Sequence, residues 1–533
     1  MQQQVTPDWV SRHADNPALA GNFAPVAREV TLRDLRVEGT LPDCVDGVFL
    51  RNGPNPCYEP PRGCYHWFDG SGMIHYVRLR GRQNSAEYGN RYVRTRGFQE
   101  EVAAGRRVHK SLTQPPEVGP ILRGMLSKGA KPFRAPDSPY WVIQSPNNAN
   151  NGVRWHGGRL LATYEAGSAY EMELSRELTT MGVCSFDGAW SFVDHWLDTF
   201  TAHSKVCPVT GELVYTGYNL VPFRGPPTVT VGVVAADGRL THRARIPVAR
   251  PSMQHDVGIT TTRTVLLDGP LVFNLAKSAA GGRPFDFVRG EALRFGVLPR
   301  HGSADDVVWI DAESCFAYHV VNCWDDPTDA DRVVVVLCRM RETRALGMAD
   351  PVQRRGDGSH GIIEESGPHA AFVEEAFLHR YILCTRTRTV VESAPLSALP
   401  CDFPVVHPSR VGRPTKVAFT AGERSTKDDP ITCFDALLKH NLNTGDVVRR
   451  PLPDGTLCGD VMFVPSGEVD DDDGYILLLT HILDEDRAEL LVLDAKDVLA
   501  PAVATVHIPV RVPFGFHSEW VPTHAAPGPL NAW

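Results

Sequence analysis

Residues Phe200–Leu213 read FTAHSKVCPVTGEL: one histidine, His203, stands in a short β-prone segment, and a Thr-Gly turn closes behind it. The same setting returns three times, in SMQHDVGIT around His255, CFAYHVVNCWDD around His319 and VPFGFHSEWVP around His517. His203, His255 and His319 follow one another at intervals of roughly 50 to 65 residues and His517 comes roughly 200 later, where a propeller blade takes roughly 40 to 50 residues before insertions. Ligands spaced by whole blades converge only on a common axis, to which each blade contributes its innermost strand. Four imidazoles meeting there would make a metal site, and the spacing predicts a closed propeller around it.

Outward from these segments one pattern recurs. Short runs rich in β-branched and aromatic residues, such as DGVFLRNGPNP, GRLLATYEAG, TVTVGVVAADGRL, RVVVVLCRM and DGYILLLTHIL, alternate with Gly, Pro and Asp turn signals. The expected fold class is all-β, as a sandwich, large barrel or propeller, and the histidine spacing favours the propeller. Residues 1–25 are polar and proline-punctuated and are expected to form an arm before a single domain over 26–533. Helical periodicity is strongest over Gln114–Lys131, within a partly helical insertion at about 100–140. There Ile121, Leu122, Met125 and Leu126 share a face flanked by Arg123, Lys128 and Lys131. Such a face either dips into a membrane surface or packs on the body as a cap.

Composition removes other classes. No run of eighteen apolar residues predicts a membrane-crossing helix, and a formal charge of −9 with scattered Lys and Arg argues against a nucleic-acid partner. Twelve cysteines without a Cys-x-x-Cys pair read as reduced and mostly buried. A His-Glu-x-x-His helix, a Gly-x-Ser-x-Gly elbow and a P-loop are all missing from the sequence. Imidazole suits Fe, Cu, Zn and Ni. Zinc hydrolases usually take three protein ligands and a base, whereas four histidines around an octahedral Fe(II) leave two positions open for dioxygen and a substrate or water. From the residues alone, a structural zinc in a non-catalytic binding propeller remains the rival reading.

Several longer motifs, in order, carry a resemblance: NPALAGNFAPV, GVFLRNGPNP with YHWFDGSGMIH, AHSKVCPVTGEL, the Gln-His-Asp at His255, RFGVLPR, YHVVNCWDD, DDDDGYILLLTH and RVPFGFH. From about Asn16 to just past His517 the chain resembles the carotenoid cleavage dioxygenases, above all the plant-type enzymes. The resemblance implies a seven-bladed β-propeller with a helical cap over the metal face. It implies one Fe(2+) per chain on His203, His255, His319 and His517, with O2 as co-substrate and no protein acid, base or nucleophile. Three carboxylates behind the histidines fall on Glu165, Asp402 and Asp471, the latter two where relatives usually carry Glu. An aspartate is one methylene shorter, so a backbone shift or a water would be needed for it to reach. Phe68 matches a substrate-tunnel aromatic. The implied substrate is an apolar polyene, a carotenoid or apocarotenoid, cleaved at one double bond to two carbonyl products; a stilbene-cleaving relative is the alternative. Departures at Asp402, Asp471 and Ser71 point to a divergent, zaxinone synthase-like apocarotenoid branch. Peripheral membrane association is implied, together with a plastid location for a plant source, its transit peptide outside this sequence, and a cytoplasmic location otherwise.

Overall fold

A computed structural model describes residues 5–62, 65–111, 146–191, 194–195, 198–220, 225–279, 284–343, 353–354, 360–361, 375–424, 433–467, 470–483, 485–531 and 533. Gln114–Lys131, with its expected apolar helical face, lies outside them. The fold is mostly β, and most of its described strands form antiparallel sheets of four or more, each made largely from consecutive strands, beside two two-stranded pairs.

The sheet that follows His203 shows how sequence becomes structure. Its strands are Lys205–Val206, Leu213–Asn219, Thr228–Val234 and Leu240–Pro247. The first turn needs a left-handed residue, which Gly211 supplies at φ 72°, and its N–H donates to the carbonyl of Cys207 at 2.8 Å. Along Thr228–Val234 alternate valines, Val229, Val231 and Val233, are wholly buried. They pack with Val214 and Ile246 against Val257, Ile259, Leu266 and Leu298 of the next sheet.

That arrangement repeats around the molecule. Val265, Phe295 and Val297 meet Val333, Val335 and Leu337. Val336 and Leu378 meet Ala418 and Leu438, and Phe419 and Leu437 meet Ile476 and Leu478. Leu477, Leu490 and Val492 meet Phe49, Val77 and Leu79. Val48, Leu50 and Ile74 meet Val153, Leu160 and Ala162, and Leu161 and Phe186 meet Leu213 and Tyr215, returning to the starting sheet. The chain ends are stitched together within this arrangement: Ser518–Pro522 pairs with Asp46–Pro54 (Val48 opposite Val521), and Val37–Gly39 pairs with Ala504–Ile508.

Residues 5–25, the described part of the expected arm, run along the body in short 3-10 turns; Phe23 stacks on Phe514 at 4.5 Å, and Arg511 donates to the carbonyl of Gly21. Of the expected helical insertion, Arg96–Ala104 forms a helix capped by Thr95, whose Oγ1 accepts from Phe98 N, and ended by left-handed Gly105. The described cysteines are all free; Cys44 is exposed, Cys57 half-buried and the others buried. Among the described residues no helix is long and apolar enough to cross a membrane.

Candidate metal centre

Three of the four histidines sit just before the first strand of a sheet or its terminal partner: His203 before Lys205–Val206, His255 before Val257–Ile259 and His517 before Ser518–Pro522. His319 lies within Phe316–Asp325, where the pairing register shifts between Ala317 and Val320 and again between Val320 and Asn322. One nitrogen from each of the four lies within 4.8 Å of the others. The His203 ring centroid is 4.3 Å from those of His255 and His517 and 4.8 Å from that of His319.

Burial holds His203 and His517 well below the ordinary histidine pKa, and the neighbouring imidazoles push the same way. These two rings are neutral at physiological pH, the form in which an imidazole can bind a metal. Burial also works against a charge on His319, but the Asp402 carboxylate and its hydrogen bond outweigh it and raise the pKa. Nε2 of His203 and Nε2 of His319 are buried with no hydrogen-bond partner, a costly condition unless those nitrogens are kept for a cation. The donor set, four imidazoles with carboxylates behind them, fits a transition metal such as iron.

Asp402 lies 2.6 Å from Nδ1 of His319. Glu165 Oε2 lies 3.3 Å from Nδ1 of His255, out of line for a hydrogen bond, and its Oε1 accepts from Tyr218 at 2.5 Å. Asp471 is elsewhere. Its carboxylate is taken by Arg410, Thr415 Oγ1 and the Lys416 N–H, so it holds the turn before strand Gly474–Ile482 and reaches no imidazole. The carboxylate facing His517 is Asp460, 3.9 Å from Nδ1, which also accepts the Ser518 N–H at 2.6 Å. Burial pushes the Asp460 pKa up to about 6. The signal for Asp460 was an acid interrupting the apolar run LCGDVMF; the pairing shift between Cys458 and Val461 turns it inward.

An aromatic wall adjoins the histidines. Phe68 stacks on Phe516 at 4.5 Å with the rings within 6° of parallel, and Trp67 packs on Phe516 at 4.4 Å. Asn150 donates to the Phe68 carbonyl at 2.9 Å. Phe403, not singled out in the sequence, lies 5.4 Å from both His319 and His517 and adopts φ 53°, a strained value for a phenylalanine.

A mostly β body whose sheets bring four imidazoles to one point defines a metal-binding β protein. The chain belongs to the RPE65/carotenoid cleavage oxygenase family: the family model described as retinal pigment epithelial membrane protein matches residues 23–522. It is 31% identical over 520 residues to a carotenoid 9,10(9',10')-cleavage dioxygenase 1 of Phaseolus vulgaris, covering 94% of this chain and 89% of that protein. A carotenoid cleavage oxygenase of Mycobacterium tuberculosis is 30% identical, covering 96% and 98%. Among solved structures, a lignostilbene dioxygenase of Pseudomonas brassicacearum superposes with a TM-score of 0.78 at 26% identity, covering 96% and 99%. Cobalt-substituted Synechocystis ACO has the same fold, with a TM-score of 0.76 at 24% identity, covering 94% and 97%.

Proposed function

We propose that the protein is a non-haem iron dioxygenase that cleaves one double bond of a carotenoid or apocarotenoid with dioxygen, giving two carbonyl products. The observation that carries this is the four-imidazole cluster, with its partnerless buried nitrogens, in a chain whose relatives are cleavage dioxygenases. His203, His255, His319 and His517 would hold one Fe(2+), which when bound supplies the activation of O2. Asp402, Glu165 and Asp460 orient three of the rings and set their basicity. Phe68, Phe516 and Phe403 offer flat apolar surface on which a polyene can lie, so position along that wall decides which double bond reaches the centre.

The same reading takes the sheets as seven blades. Two points support it: the nine-stranded sheet is joined between Phe434–Asn441 and Thr456–Pro465 by the single pair Phe434–Cys458, so it counts as two, and an apolar cluster lies between each sheet and the next. Docking of Gln114–Lys131 on a membrane belongs to this reading too; changing Leu122 and Leu126 to Glu should abolish liposome binding and spare activity on detergent-solubilised substrate.

The test is metal analysis followed by mass spectrometry of products from a panel of carotenoids, apocarotenals and stilbenes. About one iron per chain and paired carbonyl fragments that require O2 are expected. Zinc in place of iron, or an unchanged polyene, would overturn the proposal. Likeness to the lignostilbene dioxygenase supports a second reading, stilbene cleavage, which the same panel separates.

A further inference from the structure

A cavity of about 600 Å³ opens onto the histidines. His203, His319, His517 and Phe403 are among its lining residues, and Phe68 and Phe516 take no part in it. Toward solvent it is bordered by the exposed residues Cys44, Pro208, Pro408, Pro465 and His524. Its walls carry charge. Arg154 pairs with Glu519 at 2.8 Å, Lys205 pairs with Asp256 at 3.0 Å, and Asp460, 3.9 Å from His517 Nδ1, is also in the lining.

Arg154 keeps 28% and Lys205 24% of its side-chain exposure, although both sit on the innermost strands of their sheets. Both line the cavity. Five ionisable groups gathered in one space are better accommodated if that space holds water, because desolvating paired charges costs several kcal/mol per ion by the usual order of magnitude. An apolar polyene moving through it would have to strip that water.

We infer that this cavity is a hydrated second approach to the metal centre, through which water and other small polar molecules enter and leave while the polyene arrives along the Phe68 and Phe516 stack, the two routes meeting at Phe403. The inference rests on the proposed metal centre. It assigns the cavity a task the wall cannot perform: water displaced from the centre when an apolar chain arrives has a way out that the substrate does not block.

The test uses the full chain loaded with Mn(II), a redox-stable substitute whose paramagnetism speeds relaxation of exchanging solvent water. Val206 and Val405 line the cavity and are half-buried; Val214 is buried in the apolar layer behind it. In V206C and V405C a cationic methanethiosulfonate should modify the new thiol in the folded protein, located by peptide mass mapping, and V214C should stay unmodified. Modification should then lower the water relaxation enhancement at least threefold. Thiols at 206 and 405 that resist the reagent as Val214→Cys does, or modification that leaves the enhancement unchanged, would overturn the inference. Failure of the unmodified protein to take up one Mn(II), with His319→Ala behaving identically, would instead sink the metal-centre reading on which it stands.

Discussion

Asp402 Oδ1 sits 2.6 Å from Nδ1 of His319, even though an aspartate is a methylene shorter than a glutamate. The backbone makes up the difference. Pairing of Cys401–Val405 with Val417–Glu423 slips between Asp402 and Val405, and the next residue, Phe403, takes φ 53°. The same Oδ1 accepts the Phe403 N–H at 2.8 Å, which fixes the carboxylate toward the ring. Asp402→Asn keeps shape and loses charge, so it should lower metal affinity by about 10- to 100-fold. Competitive metal titration measures this, and an unchanged affinity would mean that the carboxylate only props the strand.

A second support for the centre lies behind His517. Arg51 is fully buried, and burial lowers its pKa to about 10. One Nη donates to His481 Nε2 at 3.0 Å and the other to the carbonyl of Pro513. With Nε2 accepting, the His481 Nδ1–H donates to the carbonyl of Val512 at 2.9 Å. Arg51 and His481 thus clamp two successive carbonyls just ahead of His517. His481→Phe strands one arm of a buried cation and should destabilise the metal-free protein by about 3–5 kcal/mol in urea unfolding. A loss below about 1 kcal/mol would show that the arm finds water or another acceptor.

Glu423 makes stability depend on pH. Burial, then repulsion from Asp402 and Glu375, raises its pKa from 4.5 to about 8. Between those values the folded chain holds a proton that the unfolded chain has released, so stability falls as pH rises through the window and levels off above about 8. Glu423→Gln should therefore leave Tm nearly unchanged at about pH 4.5 and raise it by roughly a few degrees at about pH 9. Parallel curves for the two proteins across that range would refute the assignment.

Much of this was legible in the sequence because the signals are local. Each ligand histidine has its own strand-and-turn context, and the valine runs announce strands. Glu165 and Asp402 stand next to recognisable motifs. What stayed hidden is non-local: that Gly47 pairs with Pro522 across the chain ends, that the residues before His517 hang from Arg51, and that Phe403 bends inward on a register slip. Asp471 misled for a physical reason. A run of four aspartates is conspicuous, but conspicuous acids belong to turns, where water and basic neighbours can solvate them.

Phe68 tests the aromatic wall separately from the metal. Phe68→Ala removes a ring stacked on Phe516 and leaves all four histidines and their carboxylates in place. Metal content should hold, while kcat/KM for a polyene falls by about 10- to 100-fold, the range expected for losing one buried aromatic contact. Loss of metal along with activity would place Phe68 in the packing of the centre and not on the substrate's path.

Asp460 and Asp471 separate most sharply when exchanged for amides. Asp460→Asn keeps an oxygen for the Ser518 N–H but removes the negative charge 3.9 Å from His517 Nδ1. Metal affinity should drop by about tenfold above pH 6, where the carboxylate is ionised, and the gap should close below it, since burial sets its pKa at about 6. Asp471→Asn breaks the pairing with Arg410 and weakens the bonds from Thr415 and Lys416, so it should cost about 1–3 kcal/mol of stability with metal affinity intact. Metal titration and urea unfolding on both variants decide the matter. If Asp471→Asn loses metal while Asp460→Asn keeps it, the carboxylate behind His517 has been assigned to the wrong residue.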